Sequence, residues 1–320
     1  MKTLVTGGSG FIGSNFIRYM LNEHPDDAII NLDKLTYAGN PDNLIDIESN
    51  PNYSFVRGDI CDPDTVDKLM QEQQIDQVIH FAAETHVDRS IMDGSAFVRT
   101  NLLGTYTLLD SALRHGIDRF IHISTDEVYG SAIEGSFKET DVLNPSSPYS
   151  SSKAGSDLLA RSYYVTYDLP VIITRCTNNF GPYQYPEKLI PLFITNLLED
   201  KKVPVYGTGQ NVRDWIYVLD HCRAIDFILQ RGEVGEIYNI GGGAERTNLE
   251  ITEKILGILG KDGYMVEHVK DRPGHDFRYS LDCSKLKDIG WVPEYNFEDA
   301  LEKTIGWYIE NEWWWRKLKH

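Results

Sequence analysis

Two short stretches hold side chains that could do chemistry together. Residues 124–130 read S-T-D-E-V-Y-G directly after the strand-like run FIHI, and residues 149–153 read Y-S-S-S-K. Carboxylates are costly to desolvate, so Asp126 and Glu127 at the end of a core strand call for a reason. In a regular strand they would point to opposite faces; an irregular strand-to-loop turn lets both face one ligand. Tyr149 and Lys153, four apart, share one face of a helix, with Thr125 24 positions upstream of the tyrosine. An ammonium beside a phenol favours tyrosinate and lowers its pKa from a reference of about 10, which gives a usable base near neutral pH. A lone Y-x-x-x-K is common by chance and often marks only a solvated helix face.

A second constellation gives the pair company. The strand-like TLVT runs into T-G-G-S-G-F-I-G, residues 6–13, which opens a helix, SNFIRYML. Gly7, Gly10 and Gly13 let the backbone turn tightly and approach a pyrophosphate at the helix N-terminus. The next strand, AIINLD, ends in Asp33, 20 residues after Gly13, where an acid takes the adenosine ribose hydroxyls and repels a 2'-phosphate, favouring NAD over NADP. Asp59, at the end of YSFVRGD, can reach the adenine in the same way, although a strand-end aspartate is often a turn residue.

The elements that must position these groups follow a clear rhythm. TLVT, AIINLD, YSFVRGD, QVIHFAA, RFIHIST and PVIITR alternate with amphipathic segments, the pattern of βαβ units and a parallel sheet. The strands lack polar alternation, as expected where helices cover both faces. The expected fold class is α/β, a Rossmann-type doubly wound parallel sheet with a smaller C-terminal α/β substrate lobe. Residues 1–175 plus about 212–241, including the run EIYNIGG, are assigned to the dinucleotide-binding domain; about 176–211 and 242–320 are assigned to the second. Residues 178–186 and 203–211 read as loops, with a turn in V-P-V-Y-G, and helices are expected around 189–199, 221–230, 249–259 and 297–311. The W-W-W at residues 313–315 reads as helix-end packing.

Composition narrows the partners. A net charge of −17 argues against a nucleic-acid surface, which needs a dense basic face. Cys61, Cys176, Cys222 and Cys283 form no C-x-x-C pair and suggest neither zinc nor a disulfide framework, so a reducing compartment is the simplest inference. His86, His122 and His275 have no metal-ligand spacing, and no metal is assigned. No targeting segment precedes the first strand and no apolar run approaches the ~20 residues that span a bilayer, so a cytoplasmic protein is expected.

Together, the glycine turn, Asp33, Thr125, Tyr149 and Lys153 resemble the short-chain dehydrogenase/reductase superfamily in its extended, nucleotide-sugar branch. Within that branch S-T-D-E-V-Y-G resembles the signature of the dTDP-glucose 4,6-dehydratase family. The likeness extends through LDKLTYAGN, HFAAETHVDRS, NNFGPYQYPEKLIP, VPVYGTGQNVRDWIYVLDH, RPGHDFRYSLD and IGWVPEYNFEDALEKTIGWY. One departure is Phe180 after the second asparagine, where tyrosine is usual.

The resemblance implies NAD as cofactor, dTDP-glucose as substrate, and oxidation at C4, elimination across C5–C6 and hydride return to C6. It implies Tyr149 as the base for O4, with Thr125 bonded to the same oxygen, Glu127 as the C5 base, Asp126 as the acid for the C6 hydroxyl, and Lys153 beside the phenol and the cofactor ribose. Along the cofactor it places Gly7, Gly10, Phe11, Ile12, Gly13, Asp33, Lys34, Leu35, Thr36, Asp59, Ile60, Phe81, Ala82, Ala83, Thr100, Tyr149, Lys153 and Asn179. Along the substrate it places Thr85, Thr125, Asn178, Lys188, Leu189, Pro204, Val205, Tyr206, Arg213, Asn248, Arg272, His275 and Asp276. Arg213 and Arg272 are the preferred diphosphate ligands, because guanidinium forks fit phosphate oxygens.

It also implies a homodimer through the helices around 102–112 and 151–164. A UDP-glucose 4,6-dehydratase stays open, since one methyl is worth only about 1–3 kcal/mol in a pocket. So do a UDP-sugar 4-epimerase, which has no need of the acid pair, a UDP-glucuronate decarboxylase, and a non-catalytic NAD-binding regulator.

Overall fold

The structure is a computed structural model that describes residues 1–271 and 274–319. In chain order its elements begin β1 (Lys2–Thr6), α1 (Phe11–Glu23), β2 (Ala28–Asp33), β3 (Tyr53–Arg57), α2 (Pro63–Gln73), β4 (Gln77–His80), α3 (Val87–Met92) and α4 (Ser95–Phe97). Then follow α5 (Thr105–His115), β5 (Arg119–Thr125), α6 (Pro148–Tyr167), β6 (Val171–Cys176), β7 (Asn178–Phe180), α7 (Leu189–Leu198), β8 (Val203–Tyr206) and β9 (Val212–Tyr217). The chain continues through α8 (Val218–Arg231), β10 (Ile237–Ile240), β11 (Glu245–Thr247), α9 (Asn248–Ile258), β12 (Val266–Val269), α10 (Ser284–Asp288), α11 (Phe297–Glu310) and α12 (Glu312–Trp315).

Seven strands form the central sheet in the order β10-β6-β5-β4-β1-β2-β3. Every neighbouring pair is parallel. The chain winds outward from β1 in both directions, so a crevice opens between the carboxyl ends of β1 and β4, the place where such sheets bind ligands. Past their first residues the inner strands are buried, because helices cover both faces. The edge strand β3 departs from this, with Ser54 and Phe55 exposed.

Two small sheets, β11-β9-β7 and β12-β8, lie apart from the large one. Both loop readings need correction here. Residues 178–180 form β7, paired with β9, and the expected V-P-V-Y turn is β8, paired in parallel with β12. Pro204 signals a turn from sequence, but a strand with a partner on one side only tolerates a residue that lacks an N–H.

Helix α6 is started by strong local signals. Ser147 caps it, with Ser150 bonding back to close a capping box, and Pro148 takes the first turn. That fixes Tyr149 at the helix entrance, where its backbone N–H donates to Ser90 Oγ at 3.2 Å. At the other end of the chain, Trp314 and Trp315 are fully buried, and Trp314 Nε1 donates to Asn43 Oδ1 at 2.7 Å.

Candidate active site

The acid pair sits where the sheet stops. β5 ends at Thr125, and the chain turns at once into a single 3-10 turn, Asp126–Tyr129. Thr125 caps that turn, its Oγ1 accepting from Glu127 N at 3.3 Å and donating to Asp126 Oδ1 at 3.1 Å. The turn breaks strand alternation, so two successive carboxyls line one cavity. Asp126 is buried and Glu127 half-buried.

Their environments set them apart. Burial first, and the neighbouring Glu127 second, push the Asp126 carboxyl up to about 8, against an opposing pull from Arg213. Asp126 is therefore a neutral acid at pH 7. The buried Tyr149 phenol is pushed well above its ordinary value of 10, by desolvation first and then by Glu127, although a hydrogen bond from Thr125 counters. This reverses the lowering expected from a neighbouring lysine. The Lys153 ammonium donates to the Ile123 carbonyl at 2.7 Å, and burial lowers the lysine itself to about 8.

One cavity, of about 320 Å3, runs from the glycine turn to Tyr149. Gly7, Gly10, Phe11, Ile12 and Gly13 form one end, with Asp33, Lys34, Thr36, Asp59 and Ile60 beside them. Phe81, Ala82, Ala83, Thr100, Lys153 and Asn179 line the rest. These residues fit a dinucleotide. At Gly7, whose φ is +71°, a Cβ would stand 2.6 Å from Ala82 N, and at Gly13 one would stand 2.4 Å from Gly7 O. The turn thus approaches as closely as bare backbone allows, and first-turn amides with no carbonyl one turn back line the cavity. Asp33 is fixed beside them, accepting from Ser9 N at 2.9 Å and Leu35 N at 2.8 Å.

The structure does not bring Leu35 to the cavity wall. It holds Asp33 from behind, with φ at +57°. Asp59 accepts from Lys34 Nζ at 2.7 Å at the far rim.

A second cavity, of about 210 Å3, adjoins the first and shares Thr85, Glu127, Asn178, Glu187 and Lys188 with it. Leu189, Pro204, Val205, Tyr206, Arg213, Asn248 and His275 line it as expected from sequence. Arg213 is aimed by backbone: its guanidinium donates to the carbonyls of Asp276 at 2.9 Å and Phe277 at 3.3 Å, and lies 4.2 Å over the Tyr279 ring. Lys188 Nζ donates to Thr85 O at 3.2 Å. Asp276 stays behind the wall, accepting from Tyr279 OH at 2.7 Å and from Ser146. Arg272 lies outside the described residues. The buried Asp126 Oδ2, Asn178 Oδ1, Asn248 Oδ1 and Trp215 Nε1 have no hydrogen-bond partner among the described residues. Since buried polar atoms are normally satisfied, that cluster around the two cavities marks a polar ligand's place.

Sequence reasoning missed several lining residues. Tyr37, Tyr185 and Glu187 close one side of the first cavity, and Tyr37 OH donates to Glu187 Oε1 at 3.1 Å. His86, Leu192, Phe193, Trp215 and Tyr279 line the second. Tyr37, Tyr185 and Glu187 stand inside the motifs LDKLTYAGN and NNFGPYQYPEKLIP, which was a usable signal; nothing local marks Leu192 or Phe193. Among the described residues no group of three or more His, Cys, Asp or Glu is placed to hold a metal ion.

Comparison with known proteins gives the family. The family model described as GDP-mannose 4,6 dehydratase matches residues 4–304. A dTDP-glucose 4,6-dehydratase of Streptomyces niveus is 54% identical over 100% of this chain and 96% of its own. A dTDP-glucose 4,6-dehydratase double mutant of Streptomyces venezuelae, crystallised with NAD, superposes with a TM-score of 0.97 at 52% identity over 100% of both chains. The UDP-glucose 4-epimerase of Thermus thermophilus, also with NAD, reaches 0.90 at 30% identity over 97% of this chain and 100% of its own. The fold is therefore shared across different sugar chemistries, and at full-length identity above half the chain belongs to the dTDP-glucose 4,6-dehydratase family of nucleotide-sugar dehydratases.

Proposed function

We propose that this chain is an NAD-dependent dTDP-glucose 4,6-dehydratase, a hydro-lyase that converts dTDP-glucose to dTDP-4-keto-6-deoxyglucose and water. The observation that carries the reading is the pair Asp126 and Glu127 on one 3-10 turn, the first held neutral at pH 7, beside Tyr149.

Bound NAD supplies a reversible two-electron exchange with the sugar, taken at C4 and given back at C6. Tyr149 takes the proton from O4, and Thr125 holds the same oxygen; burial and Glu127 favour the protonated phenol, so its own proton must leave as the positive nicotinamide ring and the Lys153 ammonium come to face it. The 4-ketone acidifies the C5 hydrogen. Glu127 removes that proton while Asp126 passes its own to the leaving C6 hydroxyl, which departs as water. Glu127 then returns a proton to C5, which balances the hydrogen restored at C6.

Gly7, Gly10, Gly13 and Asp33 hold the dinucleotide in the first cavity, with Lys34, Thr36, Asp59 and Thr100 along it. Arg213 takes the substrate diphosphate, with Lys188 the next cation for it, Asn178 and Thr85 beside the sugar, and Tyr206, Asn248 and His275 around the nucleotide. Incubation with dTDP-glucose and detection of the alkali-induced absorbance of a 4-keto-6-deoxy sugar tests the reading, and UDP-glucose in parallel tests the base. No product from either sinks it.

The working unit is a homodimer. Val98, Leu103 and Tyr106 before and along α5, and Leu158, Val165 and Tyr167 on α6, are all exposed and apolar. Such a patch supports an interface, and Leu158→Arg should lower the sedimentation mass to that of one chain. The cytoplasm suits four cysteines that are all free thiols.

A further inference from the structure

The buried residues around Lys153 include a charge that the reaction does not use. Helix α6 places Tyr149, Lys153 and Asp157 at successive four-residue steps along one face, and all three are buried. Asp157 Oδ2 accepts from Arg175 Nε of β6 at 2.9 Å. Arg175 in turn donates to Tyr129 OH at 2.7 Å, and Tyr129 donates to Asn239 Oδ1 at 2.9 Å. Asp157 Oδ1 lies 3.3 Å from His122 Nε2 of β5. Ser156 Oγ donates to the Lys153 carbonyl at 2.8 Å and stands 3.2 Å from His122 Nε2, so the imidazole proton is on Nε2.

A buried ion pair is weak support for stability, because desolvating two charges offsets most of their attraction and an apolar pair of similar size often does as well. The Asp157–Arg175 pair therefore has no evident structural need to be ionic. Its surroundings suggest a different use. The titratable groups around Lys153 are Tyr149 and Asp157 on its own helix, His80 from β4, His122 from β5, and Arg175 and Cys176 from β6. Burial keeps His80 well below its ordinary value, takes His122 down to about 4 and lifts Cys176 to about 12, so all three are neutral near pH 7. Asp157 is the negative charge left in this set to face the lysine, and it opposes the burial that pulls the ammonium towards neutrality.

We propose that Asp157, fixed by Arg175, is a positioning residue that keeps the Lys153 ammonium charged and seated on the Ile123 carbonyl, and so sets the pH range in which the Tyr149–Lys153 pair works. The inference rests on the role given to Lys153 above, and its test reads NAD binding to the apoenzyme, so it stands or falls without dehydration being observed. Below about pH 8 the lysine is charged in the parent; without Asp157 the charge is lost at lower pH.

The experiment titrates NAD into apoenzyme from pH 6 to pH 10, following quenching of tryptophan fluorescence. Asp157→Asn should move the midpoint at which affinity weakens down by about one pH unit, and cut kcat about tenfold more at pH 8.5 than at pH 6.5. Arg175→Gln, which frees Asp157 from its counter-ion, should move the NAD-binding midpoint the other way. A profile lowered evenly at every pH, or midpoints that stay with the parent, overturns the proposal. Failure of both variants to fold assigns the pair to stability and overturns it as well.

Discussion

The two cavities that meet at Glu127 are built on different principles. The first is walled by the ends of parallel strands β1, β2, β4, β5 and β6, which are buried and locked into a seven-stranded sheet. The second is walled by strands of three to six residues, the first turns of α7 and the segment around His275, drawn from distant stretches of chain. The geometry of the reacting groups thus depends on a stiff sheet, and recognition of the rest of the substrate depends on small pieces. The near-identity of this fold to a 4-epimerase teaches the same lesson. On the proposed reading, the sheet supplies a place to oxidise a sugar, and the 3-10 turn after β5 is what commits the site to losing water.

Substitutions in the first region should act on kcat and those in the second on KM. The largest effect is expected of Tyr149→Phe, which removes the proposed O4 base: about 10^4 in kcat, with NAD affinity changed far less. Glu127→Gln should cost about 10^3 and stall after oxidation, seen as reduced-nicotinamide absorbance that persists on mixing with dTDP-glucose. Parent-rate turnover by this variant would remove Glu127 as the C5 base. Asp126→Asn should cost about 10^2 near pH 7, and less above pH 8, where the parent acid has itself lost its proton.

The same variant has a stability signature. Asp126 binds its proton more tightly folded than unfolded, so the parent loses stability as pH rises from its ordinary 3.8 towards 8, and Asn should flatten that slope in thermal melts. Arg213→Lys should raise KM about tenfold with kcat within a factor of two or three, because an ammonium cannot reproduce a guanidinium fork. A loss confined to kcat would place Arg213 with the chemistry instead.

What could be read from sequence follows the same division. The glycine turn, Asp33 and the Tyr149–Lys153 step depend on local spacing, and so do the six strands that carry them. Phe193 of α7, Trp215 of β9 and Tyr279 of the segment between β12 and α10 meet only in space, which no short window encodes. Pro204 misled because its missing N–H argues for a turn anywhere except at a strand with one open side. Tyr149 misled for an electrostatic reason: spacing reports the nearby cation, whereas burial and the Glu127 carboxylate, visible only in the fold, act more strongly on the phenol. Asp157 and Arg175 belong to the same class, since each looks like an ordinary residue of a helix or strand until the fold closes over them.

The central claim is that Tyr149, Glu127 and Asp126 act on one hexose ring, so that the hydrogen removed from C4 reappears two carbons away. The direct measurement is turnover of dTDP-glucose deuterated at C4, followed by mass spectrometry and NMR of the product. Deuterium in the C6 methyl group, with a solvent-derived hydrogen at C5, is the predicted result. Deuterium washed into solvent, or recovered at C4 of a sugar that keeps its C6 hydroxyl, would contradict it.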